Sequence, residues 1–152
     1  MSTPRSTKSR SIFALEVAVT ATIRARPERI WSLLTDIPNY TRWNSTLTSI
    51  EGSTELGEVV RMRVPEAPGR VFKVKVVEHE ANRRMVWRDG FAPMFVGART
   101  YLVEPVGEGA SQFTMTEKFT GVMLPMIAGK LPDFQPIFER YAADLTREAE
   151  KT

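Results

Sequence analysis

From Phe13 onward the odd positions Phe13, Leu15, Val17, Val19, Ala21 and Ile23 are apolar, and Glu16, Thr20, Thr22 and Arg24 fall between them. That period of two predicts a half-buried strand. The period then lengthens: Pro27 opens a stretch in which Ile30, Trp31, Leu33, Leu34 and Ile37 share one helical face, and the missing proline N–H costs nothing in a first turn. Asp36, Pro38 and Asn39 end this helix. A second short helical turn is predicted from Tyr40 to Trp43, then extended chain from Asn44 to Gly52.

Alternation resumes from Glu58 to Val64, with Val60, Met62 and Val64 inward, and from Arg70 to Val77, with Phe72, Val74 and Val76 inward against Lys73 and Lys75. Pro65 to Gly69 joins these two strands as a loop. After a turn at Asn82, Met85 and Trp87 share one face of the next strand and Arg84 and Arg88 the other. Phe91-Ala92-Pro93-Met94-Phe95 is too apolar for an ordinary solvated loop and is expected to lie over something. Past Gly121, the stretch Val122 to Ile127 leads through Gly129 and Pro132 into a last helix, where Asp133 can cap the N-terminus. Phe134, Ile137, Phe138, Tyr141, Ala142 and Leu145 recur there at helical spacing. At 1.5 Å per residue this helix, Asp133 to Ala149, is roughly 25 Å long and can cross a whole sheet. The order is one strand, two short helices, six strands and a long helix, an α+β pattern with an antiparallel sheet closed on one side by the last helix.

Two charges interrupt this pattern from within. Arg99 falls on the apolar-facing parity of the strand Gly97 to Val103, and Glu117 on that of the strand Phe113 to Phe119. The Gly-rich link Val106 to Ala110 predicts a hairpin. If Pro105 sits opposite Ser111, Arg99 meets Glu117, Tyr101 meets Met115 and Val103 meets Phe113, whereas a one-residue slip would turn one set over. A guanidinium and a carboxylate on the inner side of a Met- and Phe-rich sheet point to a lined cavity. The pair can be a structural bridge, because an unpaired buried charge is costly, or it can present the remaining Arg99 donors to a ligand carboxylate, enolate or carbonyl.

Composition narrows the chemistry. The 152 residues make one domain, residues 12–150, preceded by a basic tail of residues 1–11 that has no apolar residue beyond Met1 until Ile12 and is expected to be disordered. The net charge of +3 comes from 21 Lys and Arg against 18 Asp and Glu. Arg5, Lys8 and Arg10 of the tail account for it, so the domain itself is about neutral and no nucleic-acid partner is expected. There is no cysteine and one histidine, which removes thiolate chemistry and Cys- or His-pair metal sites; no metal or cofactor is expected. His79, between Glu78 and Glu80, is expected to face solvent. No apolar run reaches the length of a membrane span, no secretory signal pattern is visible, and a cytoplasmic location is the default expectation.

The segment Pro27-Glu28-Arg29-Ile30-Trp31-Ser32-Leu33-Leu34-Thr35-Asp36, with Tyr40 and Trp43-Asn44 after it, resembles the opening of the polyketide cyclase/dehydrase-like branch of the START/Bet v1 (SRPBCC) superfamily. Met85-Val86-Trp87, the run from Glu117 to Gly121 leading to Leu124-Pro125, and the terminal amphipathic helix extend the resemblance over nearly all of the chain after residue 13. It implies a helix-grip fold, a seven-stranded antiparallel sheet curved around the C-terminal helix, with a cavity between them for an apolar small molecule. Members include lipid carriers, binders of plant hormones and aromatic polyketide cyclases. Where relatives commonly carry a histidine in the sixth strand this chain carries Arg99, a poor general base.

Within such a cavity the candidate ligand contacts are Arg99 and Glu117, with Trp87, Tyr101, Met85 and Met115 beside them on the sheet. Phe91, Met94, Phe95, Phe119, Met123 and Met126 are candidates around its mouth, and Phe134, Phe138 and Tyr141 on the helix. Flexible, polarisable Met side chains suit a site that accepts several ligand shapes. Trp31 and Trp43 are expected to pack helices onto the sheet. No catalytic residue is assigned: the inward groups able to move a proton are Glu117, Asp89 and Tyr101, and a carboxylate held against Arg makes a weak base. The expected function is binding of a lipid, aromatic polyketide or isoprenoid. The alternatives are a cyclase or dehydratase in which Arg99 stabilises enolate charge, and a protein-interaction module using a sheet edge or the Phe91–Phe95 loop.

Overall fold

A computed structural model describes residues 3–151. The apolar alternation from Phe13 becomes strand β2 (Ala14–Ile23), in which Val17, Val19 and Ile23 are buried. It is preceded by β1 (Arg5–Ser11) and followed by helices α1 (Pro27–Thr35) and α2 (Tyr40–Trp43), linked by a 3-10 turn. Strands β3 (Ser49–Gly52), β4 (Val59–Arg63), β5 (Phe72–Glu80), β6 (Arg84–Phe91), β7 (Phe95–Pro105) and β8 (Ser111–Thr120) come next. Helix α3 (Leu124–Ile127) and the long helix α4 (Phe134–Ala149) complete the chain. All strands belong to one antiparallel sheet in the order β1-β2-β8-β7-β6-β5-β4-β3.

The sheet has eight strands where seven were expected, because within the polar tail Arg5 to Ser11 pair with Thr20 to Ala14 of β2; residues 1–2 of that tail lie outside the described residues. Its side chains are nearly all exposed. What orders it is therefore the main-chain ladder on the edge of β2, together with a tether to α4, where the Ser6 hydroxyl donates to Glu139 at 2.6 Å. Side-chain composition carries no signal for either contact.

Helix α4 presents Phe138, Tyr141, Ala142 and Leu145, all buried, to the sheet and to α1 and α2. Asp133 caps it by accepting from the Gln135 amide at 3.2 Å. At its other end the buried Asp144 accepts from the Ser45 amide and hydroxyl, and Glu148 from Arg42. These bonds anchor the chain after α2 to the helix. Trp31 and Trp43 are buried as expected, Trp43 packing edge-on against Tyr141. His79 is not a solvent-facing residue: its Nδ1 is 2.7 Å from the Thr54 carbonyl oxygen and its ring lies edge-on to Trp31, because the end of β5 is covered by the segment before β4 and by α1.

Candidate functional site

The β7–β8 hairpin pairs Arg99 with Glu117, Tyr101 with Met115, Val103 with Phe113 and Pro105 with Ser111, the register predicted from loop length and parity. On β6, Trp87 stands opposite Arg99 and Asp89 opposite Gly97. One row across the inner face therefore reads Trp87, Arg99, Glu117, and the next reads Asp89, Gly97, Phe119. Gly97 makes this crowding possible: a Cβ there would come within 2.9 Å of Asp89 Oδ1, 3.3 Å of Phe119 Cε1 and 3.4 Å of Glu117 Oε2.

Between this face and α4 lies a cavity of about 540 Å³, within the range typical of small-molecule sites. Its sheet wall is Met62, Phe72, Val74, Trp87, Phe95 and Phe119, and its helix wall Phe134, Ile137, Phe138 and Tyr141. Arg70 and Glu66 border it from the β4–β5 loop, and Ile127, Lys130 and Leu131 from the link between α3 and α4. Into this mostly apolar space project Arg99, Glu117 and Asp89.

Arg99 Nε donates to Glu117 Oε1 at 2.8 Å, and both side chains are mostly buried, 19% and 12% exposed. The guanidinium carbon is 5.0 Å from the centre of the Phe138 ring, a cation–π contact. Burial opposes the Arg99 charge, but the Glu117 carboxylate, with Tyr101 and Tyr141 around it, more than offsets this and holds the proton on arginine more firmly than usual. Burial likewise pushes the Glu117 carboxyl upward, Arg99 pulls it back in part, and Asp89 adds repulsion. Two buried neighbours, the Trp87 indole N–H and the Tyr101 hydroxyl, have no hydrogen-bond partner among the described residues. Tyr101 packs on Trp87 with ring centres 4.7 Å apart, and burial raises its pKa. The next buried hydroxyl, that of Tyr141, is paired with the Tyr40 hydroxyl at 3.3 Å.

Asp89 differs from Glu117 in having no ion-pair partner among the described residues. Burial raises its pKa above the usual 3.8, against the opposing charge of Arg70 and backbone hydrogen bonds at Asp89 and Gly97. A carboxyl raised in the folded state favours the fold while protonated. The sign follows: its contribution is complete below the ordinary aspartate range and is lost as pH rises through the raised folded value. Asp89→Asn, which keeps an acceptor for the backbone, is therefore expected to raise the melting temperature at pH 7 and leave it nearly unchanged at pH 3. Thermal melts at the two pH values check this, and an equal shift at both would contradict it.

Of the residues singled out from the sequence, Arg99, Glu117, Trp87, Phe95, Phe119, Phe134, Phe138 and Tyr141 line the cavity. Tyr101, Met85 and Met115 point inward but are fully buried in the packed core beside it. Phe91, Met94 and Met126 are exposed and Met123 is half-buried, and none of the four borders the cavity. Unanticipated as site residues were Met62, Phe72 and Val74, whose inward parity was legible, and Asp89, visible as an inward acid. Arg70 at the rim carries no sequence signal.

The antiparallel sheet, the long helix across it and the cavity between them define a helix-grip fold. The chain belongs to the polyketide cyclase / dehydrase and lipid transport family, whose model matches residues 14–150. No curated protein matches it by sequence. Among solved structures it is similar to truncated norcoclaurine synthase from Thalictrum flavum, at 13% identity and a TM-score of 0.69 over 95% of this chain and 99% of that one. A Rhodobacter sphaeroides protein is similar at 18% identity and a TM-score of 0.69, covering 95% and 97%. CalU16 from Micromonospora echinospora follows at 13% identity and 0.63, covering 95% and 87%. At these identities the likeness is one of fold.

Proposed function

We propose that this protein binds an apolar or amphipathic small molecule of the lipid, aromatic polyketide or isoprenoid kind, with an oxygen-bearing end held against Arg99. The observation that carries this reading is the pairing of a largely apolar cavity with a buried cation, Arg99, on its inner wall and, beside it, the Trp87 indole N–H, which has no hydrogen-bond partner among the described residues. A buried donor without an acceptor costs free energy comparable to a lost hydrogen bond. A ligand carboxylate, enolate or carbonyl satisfies these groups while its skeleton replaces water on Phe72, Phe119 and Phe138. Glu117 fixes the guanidinium plane, so the donors are oriented before the ligand arrives. Native mass spectrometry of protein purified from its own host tests this: a copurifying small molecule is expected. A bare protein mass, under conditions that preserve known lipid complexes, would count against it.

One observation favours a second reading, a cyclase- or dehydratase-type enzyme. Asp89 lies in the same cavity as Arg99 with no ion-pair partner among the described residues and with a raised pKa. In that reading Arg99 stabilises negative charge developing on a substrate oxygen, and Asp89 exchanges the proton. Asp89→Asn separates the two: it abolishes turnover of a polyketide substrate if Asp89 moves the proton, and leaves ligand affinity in place if the protein only binds.

A further inference from the structure

Ten large apolar side chains are exposed among the described residues, and six of them gather at one end of the molecule. Ile12 and Phe13 occupy the β1–β2 turn, Phe91 and Met94 the β6–β7 turn, and Val122 and Met126 the segment after β8. Phe91 and Met126 are each 73% exposed and Ile12 68%. Main-chain hydrogen bonds tie the three segments together: the Gly121 amide donates to the Phe13 carbonyl at 3.2 Å, Val122 to Pro93 at 3.0 Å and Met123 to Met94 at 3.0 Å. Gly121 has φ +135, and a Cβ there would lie 2.2 Å from the Met94 carbonyl oxygen, so the close approach of these turns requires glycine.

The charges around the patch are mostly positive. Lys8, Arg10, Arg88, Lys118 and Lys130 stand against two acids, Asp89, which faces the cavity, and Glu16, the cross-strand neighbour of Lys118. We propose that this end docks on an anionic lipid bilayer, with Ile12, Phe91 and Met126 entering the interface and the cations meeting lipid phosphates. Two features favour a bilayer over a second protein. The apolar groups stand on separate turns rather than on one continuous face, and lysine, which protein interfaces deplete, can lay its alkyl stem on lipid while its ammonium stays wet. Among the described residues no helix is long and apolar enough to cross a membrane, and the contact proposed is a peripheral one. The same segment reaches the cavity, since Ile127 and Lys130 line its wall. In that respect the inference deepens the ligand-binding reading, by placing the exchange of an apolar ligand at a lipid surface.

Cosedimentation with vesicles of phosphatidylcholine alone, or mixed with phosphatidylglycerol, tests it without any cavity ligand. The full chain is expected to bind the mixed vesicles, to bind the neutral ones poorly, and to be released as salt rises. Phe91→Ser/Met126→Ser is expected to keep the wild-type melting temperature and lose roughly tenfold or more in vesicle affinity, and Lys118→Glu is expected to weaken binding to mixed vesicles alone. Absence of wild-type binding, equal binding to both vesicle types, or an unaffected double variant would overturn the proposal. So would a self-association abolished by Phe91→Ser/Met126→Ser without vesicle binding, which would assign the patch to a second copy of the chain. Titration of that double variant with 2-naphthoate keeps the two readings apart: retained naphthoate binding with lost vesicle binding places the defect at the surface and not in the cavity.

Discussion

Arg99→Leu alone is expected to destabilise the protein by about 3–5 kcal/mol, because it strands the Glu117 carboxylate among apolar side chains with no partner for its charge. Arg99→Leu/Glu117→Met is expected to recover most of that loss and to melt close to the wild type, since an apolar pair removes the desolvation cost of both ions. The pair is buried enough for this argument, with 19% and 12% of the side chains exposed. Denaturant unfolding of the wild type, the single variant and the double variant checks the order. A single variant as stable as the double would show that Glu117 takes up a proton or finds water without cost, and that the bridge does not shape the site.

The second large effect is expected at Phe138, fully buried on α4 with Arg99 against its ring face and Phe134 at 5.9 Å. Phe138→Ala removes the ring from both the core and the cavity wall, at a cost of roughly 3–5 kcal/mol. It also widens the site beside Arg99. Thermal unfolding should show the loss, and bulkier ligands should recover more of it on binding than small ones do. Equal stabilisation by large and small ligands would mean that the vacated space is filled by rearranged side chains.

The difference between what was legible and what was not follows from what each pattern encodes. Hairpin register follows from loop length and side-chain parity, which are local, so Arg99 opposite Glu117 was readable, whereas for Trp87 only the inward parity was and its place opposite Arg99 was not. Parity says which way a side chain points but not whether the space there is filled. Met85, Tyr101 and Met115 point inward onto a part of the sheet already occupied by Tyr141 and its neighbours, and the cavity opens instead beside them, over Met62, Phe72, Val74 and the row of Trp87, Arg99 and Glu117. Met94, Met123 and Met126 flank an apolar stretch that does turn back towards the sheet, yet Ile127 and Leu131 are the residues that reach the cavity. Strand β1 left no trace in hydrophobicity, because its stability lies in hydrogen bonds to β2 that any sequence without proline can make.

Whether an oxygen-bearing ligand meets Arg99 inside the apolar cavity is tested most directly by calorimetric titration with 2-naphthoate and with 2-methylnaphthalene, which has nearly the same shape and no charge. The wild type is expected to bind both, the acid more tightly. Arg99→Leu/Glu117→Met is expected to bind 2-methylnaphthalene as before and to lose roughly 10- to 150-fold in affinity for 2-naphthoate, the equivalent of one charge-assisted hydrogen bond. Unchanged affinity for the acid in the double variant, or no binding of either compound by the wild type, would contradict that contact.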